Sequence, residues 1–210
     1  MKILVVAATH HEIESFAKPG TNCETLVCGV GIPSTIYHLT KKLSGEKYDL
    51  VIQAGIAGSF SKKIKHGNVV AVSQDTFADI GAEENKRFKT IFELGLEDEN
   101  VFPFQQGWLI NTSEILQAVD LKKVTGVTVN KIQESKKQNK NLKKLYAADI
   151  ESMEGAAFHF VCLQQKVPFV QLRSISNTVG ERDKAKWDMK TAIENLGIEL
   201  HRLIDSINKS

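Results

Sequence analysis

Arginine is scarce in this chain of 210 residues, with four in all: Arg87, Arg173, Arg182 and Arg202. A site that grips phosphate through bidentate guanidinium contacts has little to draw on, and none of the four follows the first apolar run. Cysteine is limited to Cys23, Cys28 and Cys162, with no CxxC or Cys/His spacing. That excludes a zinc ribbon or a disulfide framework and fits reduced thiols in a cytoplasmic protein. There are four prolines and no Pro/Gly-rich tract, internal repeat or low-complexity segment, so nothing marks a linker. One domain over residues 1–210 is expected. No apolar run approaches the ~18 residues of a membrane span, and the run of about six near the N-terminus is short for a signal core. Charge of one sign is not in excess, because the formal net charge is +2. The one basic concentration, "KKQNKNLKK" at 136–144, reads as a solvated face and not as a nucleic-acid footprint.

What the chain does have is a series of short runs rich in Val and Ile: "ILVVAA" (3–8), "ETLVCG" (24–29), "DLVIQAG" (49–55), "NVVAVSQ" (68–74), "VTGVTVN" (124–130) and "PFVQLRSIS" (168–176). Several are apolar at successive positions, the pattern of strands covered on both faces. Helical segments lie between them. Pro33 opens one, and "MEGAAFHFVCLQQ" places Met153, Ala156, Ala157, Phe160 and Val161 on one face. The last helix steps by three and four through Met189, Ala192, Ile193, Leu196, Leu200, Leu203, Ile204 and Ile207. The expected architecture is a three-layer α/β domain with a central mixed, mostly parallel sheet flanked by helices. Residues 77–107 follow no period, and a long irregular segment in a compact domain is more often functional than idle.

In such a sheet, ligands bind beyond the carboxyl ends of the strands. The segments found there are "ATHHEIE", "GVGIPS", "AGIAGSF", "NKIQESKK", "ESMEG" and "SNTVGERD". "GVGIPS" lacks the third glycine of a dinucleotide fingerprint and follows the second strand, so it reads as a tight turn whose N–H groups can meet an oxygen. Gly55 and Gly58 permit a flat ring to approach the backbone. Glu12 has two readings: a first-turn acid that stabilises a helix N-terminus, or a carboxylate that takes a proton from water. Adjacent His10 and His11 cannot point at one ion from one helix face, so "HHE" is no metal signature. In "DIESMEGAAF", Ser152 can cap a helix with Glu154 in its first turn. A carboxylate there can also accept a hydrogen bond from each of two adjacent ribose hydroxyls.

At these residues the chain resembles the nucleoside phosphorylase and nucleosidase superfamily, which includes the 5′-methylthioadenosine/S-adenosylhomocysteine nucleosidases. "MKILVVAATHHEIE", "VIQAGIAGSF", "HGNVVAVSQD", "ESMEGAAFHFVC" and "QLRSISN" carry the resemblance over nearly the whole chain. "FADIGAE", "FELGL", "FPF" and "RSISNTVGERDKAKWDMKTAIENL" are similar to the branch that releases hypoxanthine in an alternative menaquinone pathway. The resemblance implies a nucleoside phosphorylase-like fold and hydrolysis of a purine N-glycosidic bond. Glu12 would activate water, Met153 would lie against the ribose, Glu154 would bind its 2′- and 3′-hydroxyls, and Asn177 would meet the purine. The backbone of Ala57, Gly58 and Ser59 would line the base and water sites. It implies no metal or organic cofactor, a small nucleoside substrate, and a homo-oligomer, dimer or higher, whose neighbouring subunit closes the 5′ pocket.

Two positions depart from the adenine-specific pattern. Asn177 stands where those enzymes carry Asp, and its amide can donate to N7 and O6 of a 6-oxopurine. Ser152 stands in place of a second Glu. Asn177 cannot transfer a proton, so the acid is unassigned; Asp183, in "ERD", is a candidate whose orientation nothing in the sequence fixes. For a substituent at the 5′ side, Phe104, Trp108 and Phe77 are candidate walls, and His10, Arg87 or Arg182 the candidate cation.

Overall fold

A computed structural model describes residues 1–16 and 23–209. In chain order it contains β1 (Ile3–Ala7), α1 (His10–Ile13), β2 (Cys23–Val27), α2 (Ile32–Gly45), β3 (Leu50–Ser59) and β4 (Val69–Asp75). There follow a hairpin of β5 (Gly81–Glu84) and β6 (Arg87–Thr90), then β7 (Leu109–Ile110), α3 (Glu114–Ala118), β8 (Lys123–Thr128) and α4 (Lys136–Tyr146). The chain continues through β9 (Ile150–Ser152), α5 (Gly155–Gln164), β10 (Phe169–Thr178) and α6 (Met189–Lys209).

The central sheet runs β10-β4-β8-β9-β3-β1-β2, with β7 on β4 and a further pairing of β10 with β3. That last pairing closes β3, β10, β4, β8 and β9 into a ring, from which β1 and β2 extend. Parallel pairs join β1 to β2 and β3, β10 to β3, and β8 to β4 and β9. Antiparallel pairs join β10 to β4, β3 to β9 and β4 to β7.

The successive apolar positions of β1 are explained by what covers it. Ile3, Val5 and Ala7 pack with Ile13, Phe16, Leu196, Leu200 and Leu203, so α1 and α6 lie on that face. Leu4 and Val6 pack with Leu39, Phe158, Val161 and Cys162, so α2 and α5 cover the other. This is the three-layer arrangement that the sequence predicts. A third cluster, Ala57, Val70, Val72, Val124, Ile150 and Ile175, joins the five strands that form the ring.

Two expectations change, one for a helix and one for the irregular segment. Met153 lies before α5, and α5 buries Gly155 through His159 with Val161 and Cys162, which is burial around the helix and not along one face. The reason is its position between α2 and the ring strands, with both sides covered. The irregular segment 77–107 contains the β5–β6 hairpin, turned at Asn85 and Lys86, both with positive φ of 51° and 64°. Its strands are mostly polar and solvent-facing, so no apolar alternation announced them. No described helix is long and apolar enough to cross a membrane.

Candidate active site

Glu12 sits in the single turn of α1, immediately beyond β1, and is buried. The N–H and hydroxyl of Thr9 both donate to its Oε2, at 2.9 and 3.1 Å. Its Oε1 accepts the Ile56 N–H of β3 at 3.1 Å. One oxygen thus secures the helix start, the first of the two readings, and the other reaches across to β3.

Glu154 is the N-cap residue of α5, but its side chain turns away from the helix and accepts the Gly31 N–H at 3.0 Å. The glycine-rich turn after β2 therefore delivers its N–H to a carboxylate of the protein, and Gly31 adopts a φ of 92° to do so. Ser152, buried on β9, is the residue whose hydroxyl accepts a first-turn N–H, that of Gly155 at 3.1 Å. Ser152 thus makes the expected capping bond, from the strand, while Glu154 stands at the N-cap and not in the first turn. Burial raises the Glu154 carboxyl above its ordinary value, opposed by Arg173 and the Gly31 N–H, with Glu12 adding to the rise.

Arg173 corrects the expectation that no arginine stands near the first strand end. It is 1% exposed, in the middle of β10, with Nη1 at 3.7 Å from Glu154 Oε2. Nη2 donates to Gln53 Oε1 at 2.9 Å and Nη1 to the Ile56 carbonyl at 3.3 Å, while Nε has no partner. A Cβ on Gly55 would lie 2.3 Å from Arg173 Nη1 and 3.2 Å from Glu12 Oε1. The bare glycine is what lets guanidinium and carboxylate share this space. Two carboxylates therefore face one cation, and a buried charge trio of this kind survives only where each member is held by polar partners.

Asn177 lies opposite Gly58 where β10 shifts register against β3. Its Oδ1 accepts the Ser176 hydroxyl at 2.9 Å, and its Nδ2 donates to the Thr178 carbonyl at 3.0 Å. One amide hydrogen is thereby committed, leaving one for a ligand and not the two that the sequence allowed. The face of Gly58 beside Asn177 is occupied, since a Cβ there would fall 3.0 Å from Val179 Cγ2 and 3.3 Å from Asn177 Nδ2. The Ala57 side chain instead packs in the ring cluster, and the Ser59 hydroxyl is taken by Ser61, so these two present backbone and not side chains. Met153 is half-buried between β9 and Glu154.

Other expectations dissolve. Asp183 caps a short 3-10 turn at Lys184–Lys186 by accepting the Ala185 N–H, and its side chain is exposed, so it is not a buried acid. Phe104 packs with Phe77, Phe92 and Phe160 and, with Trp108, lines a cavity of about 370 Å³ that none of Glu12, Glu154 and Asn177 lines. The three aromatic candidates do converge, but no candidate cation joins them: the charged residues on that cavity are Glu93 and Glu99. Arg87 pairs with Glu93 from outside it, Arg182 lies over Trp187, and His10 lines a separate hollow. Among the described residues, no group of three or more His, Cys, Asp or Glu side chains is arranged to hold a metal.

Residues 3–207 match the profile of the phosphorylase superfamily, and the chain belongs to that superfamily. It is 30% identical over 188 residues to a futalosine hydrolase of Thermus thermophilus, covering 88% of this chain and 82% of the relative. It is 29% identical over 168 residues to a futalosine hydrolase of Streptomyces coelicolor, covering 80% and 67% respectively. Among solved structures, it superposes on a 5′-methylthioadenosine/S-adenosylhomocysteine nucleosidase of Neisseria meningitidis with a TM-score of 0.82, covering 98% of this chain and 99% of that one at 18% identity. At that identity the likeness speaks for the fold.

Proposed function

We propose that this chain is a purine nucleosidase that hydrolyses the N-glycosidic bond of futalosine and releases hypoxanthine, a step of an alternative menaquinone route. The similarity to futalosine hydrolases supports the substrate. The observation that carries the chemistry is Glu12, a buried carboxylate held at both oxygens within reach of Gly55, beside a second carboxylate and one guanidinium.

In the proposed reaction, water adds to C1′ while the C1′–N9 bond breaks, and Glu12 takes the proton that the water loses. Positive charge grows on the ribose in an oxocarbenium-like transition state, so the Glu12 and Glu154 carboxylates stabilise it more than the ground state. Glu154 accepts the 2′- and 3′-hydroxyls, Met153 lies against the sugar, and the remaining Asn177 N–H meets N7 of the departing base. The purine leaves with the bonding electron pair and takes up a proton from solvent, which requires no acid at Asp183. Arg173 favours the ionised form of Glu154 against the burial and the Glu12 charge that oppose it. Phosphorolysis is disfavoured on charge: a phosphate dianion would meet two carboxylates for a single guanidinium. A 5′-methylthioadenosine nucleosidase is the second reading, favoured by the shared fold. Asn177 in place of an acid counts against it. We further propose that residues 1–210 act as one nucleosidase domain in the cytoplasm and as a homo-oligomer. Phe104 would then meet substrate only through a neighbouring subunit.

Base release in phosphate-free buffer tests this, with futalosine, its 6-amino analogue, methylthioadenosine and inosine compared by chromatography. Hypoxanthine from futalosine is expected. Adenine from methylthioadenosine alone moves the chain to the second reading, and release only after phosphate is added makes it a phosphorylase.

A further inference from the structure

Gln53 is a buried amide on β3, 2% exposed, that the proposed reaction leaves unused. Gln53 is paired with Gln171 of β10, and Gly55 with Arg173, so all four positions share one face of the sheet. Gln53 Oε1 accepts Arg173 Nη2 at 2.9 Å. That contact is shorter than the 3.3 Å from Nη1 to the Ile56 carbonyl and the 3.7 Å from Nη1 to Glu154 Oε2.

The longest of the three is the contact with the opposite charge. Charge-assisted N–H···O bonds close to about 2.7–2.9 Å, so the guanidinium stops roughly 1 Å short of Glu154. The Ile56 contact is made by the same nitrogen that faces Glu154, so it can turn with the group and does not account for the gap. Nη2 is the nitrogen anchored elsewhere, and Nε has no partner. Without the Gln53 acceptor, two of the three guanidinium nitrogens would be buried and unpaired. That cost would drive the group onto the Glu154 carboxylate.

We propose that Gln53 is a positioning residue: it holds the Arg173 guanidinium off Glu154, near enough to balance its charge and too far to close on Oε2, and so keeps that oxygen available to a substrate hydroxyl. The proposal rests on the nucleosidase reading, in which Glu154 accepts two ribose hydroxyls. Oε1 already accepts the Gly31 N–H. If Arg173 closed on the carboxylate as well, a strong contact would have to break before the hydroxyls could bind. The other charged or titratable groups around the pair come from four elements. Glu12 of α1 opposes ionisation of Glu154, and Cys28, just past β2, has a thiol pushed up by burial and then by Glu154. Asp75 of β4 and His159 of α5 lie in the field of Arg173. Among the described residues, Gln53 is the hydrogen-bond partner of Nη2, so it sets the distance.

The test is Gln53→Met, which keeps the length of the side chain and loses the amide acceptor, with Gln53→Leu in its place if the methionine variant does not fold. Two quantities are compared with wild type. One is the titration midpoint of the Glu154 carboxyl by carbon-13 NMR, assigned with Glu154→Gln. The other is the ratio of kcat/KM for futalosine to that for its 2′,3′-dideoxy analogue. With the restraint gone, the midpoint should fall by about 1 pH unit, the effect of shortening an ion pair by roughly 1 Å at an effective dielectric constant of about 20. The ratio should fall about tenfold, because the hydroxyls lose a charged acceptor. An unchanged or raised midpoint overturns the proposal. So does a loss of kcat/KM that is equal for both substrates, which is what loosened packing alone would give. If wild type releases no base from futalosine, the nucleosidase reading falls and the midpoint alone decides: a fall keeps Gln53 as the restraint on Arg173, and no fall removes it.

Discussion

Asp75 and Glu151 are both buried carboxyls pushed up to about 7 by desolvation, and they lie on opposite sides of the strands that carry α5. Asp75 receives its partners from its own chain: the Thr76 N–H at 2.9 Å, the Thr128 hydroxyl at 3.0 Å and the Gln171 amide at 3.3 Å. Thr128 in turn accepts the Ala156 N–H at 2.7 Å, so Asp75 anchors the start of α5 beneath the site. Glu151 has an oxygen with no such partner. A raised pKa therefore does not separate a carboxyl satisfied by its own chain from one that is not. The inventory of partners does.

The comparison predicts that changes on the ligand side alter kinetics while leaving stability nearly intact, and that changes under α5 do the reverse. The largest expected effect is on the ligand side. Glu12→Gln should lower kcat by about 10²–10⁴-fold, the range of a lost general base, while nucleoside affinity and the unfolding midpoint stay near wild type. Near-normal turnover would remove Glu12 from the reaction. Next comes Asn177→Ala, for which a lost donor to the leaving base should cost on the order of 10²–10³ in kcat. An unchanged single-turnover rate would end that assignment.

Under α5, Gly155→Ala should act on stability. The added Cβ would sit 2.1 Å from Asp75 Oδ2 and 2.4 Å from Gln171 Nε2, an overpacking worth about 1–3 kcal/mol in urea unfolding. Full stability in that variant would show that the floor yields and the comparison is too rigid.

The smallest effect is a dependence on pH. The Asp75 carboxyl rises from an ordinary 3.8 to about 7 on folding, so between those values the folded chain holds more protons than the unfolded one. Its contribution to stability is then greatest below about pH 4, falls as pH rises toward 7, and is flat above. Asp75→Asn removes that titration. The difference in urea midpoint between variant and wild type should change across this window and nowhere above it. A difference independent of pH would mean that Asp75 stays ionised in the fold.

Much of the frame was legible because burial on both faces leaves a mark in sequence. β1, β3, β4, β8 and β10 lie within or overlap apolar runs, and α6 shows its stripe of Ala192, Ile193, Leu196 and Leu200. β9 did not, because three residues reading Ile-Glu-Ser have no period to detect. Glu12, Glu154 and Asn177 stood out as polar residues at strand ends and as parts of a family pattern. Arg173 did not, because it sits inside the run "FVQLRSIS" and its partners Gln53, Ile56 and Glu154 come from β3 and the start of α5.

The sequence by itself determined the layered α/β class, the strand-end position of Glu12 and the replacement of an acid by Asn177, because local period and residue identity are written in neighbouring positions. Only the tertiary structure decided that Arg173 pairs with Glu154, that the Glu154 side chain turns to Gly31, that the aromatic cavity has other lining residues, and that Glu151 shares a row with Gly58 and Asn177. Those facts depend on how β10 and β9 both pair with β3 to close the ring, and pairing between strands some ninety residues or more apart leaves no trace in the local pattern.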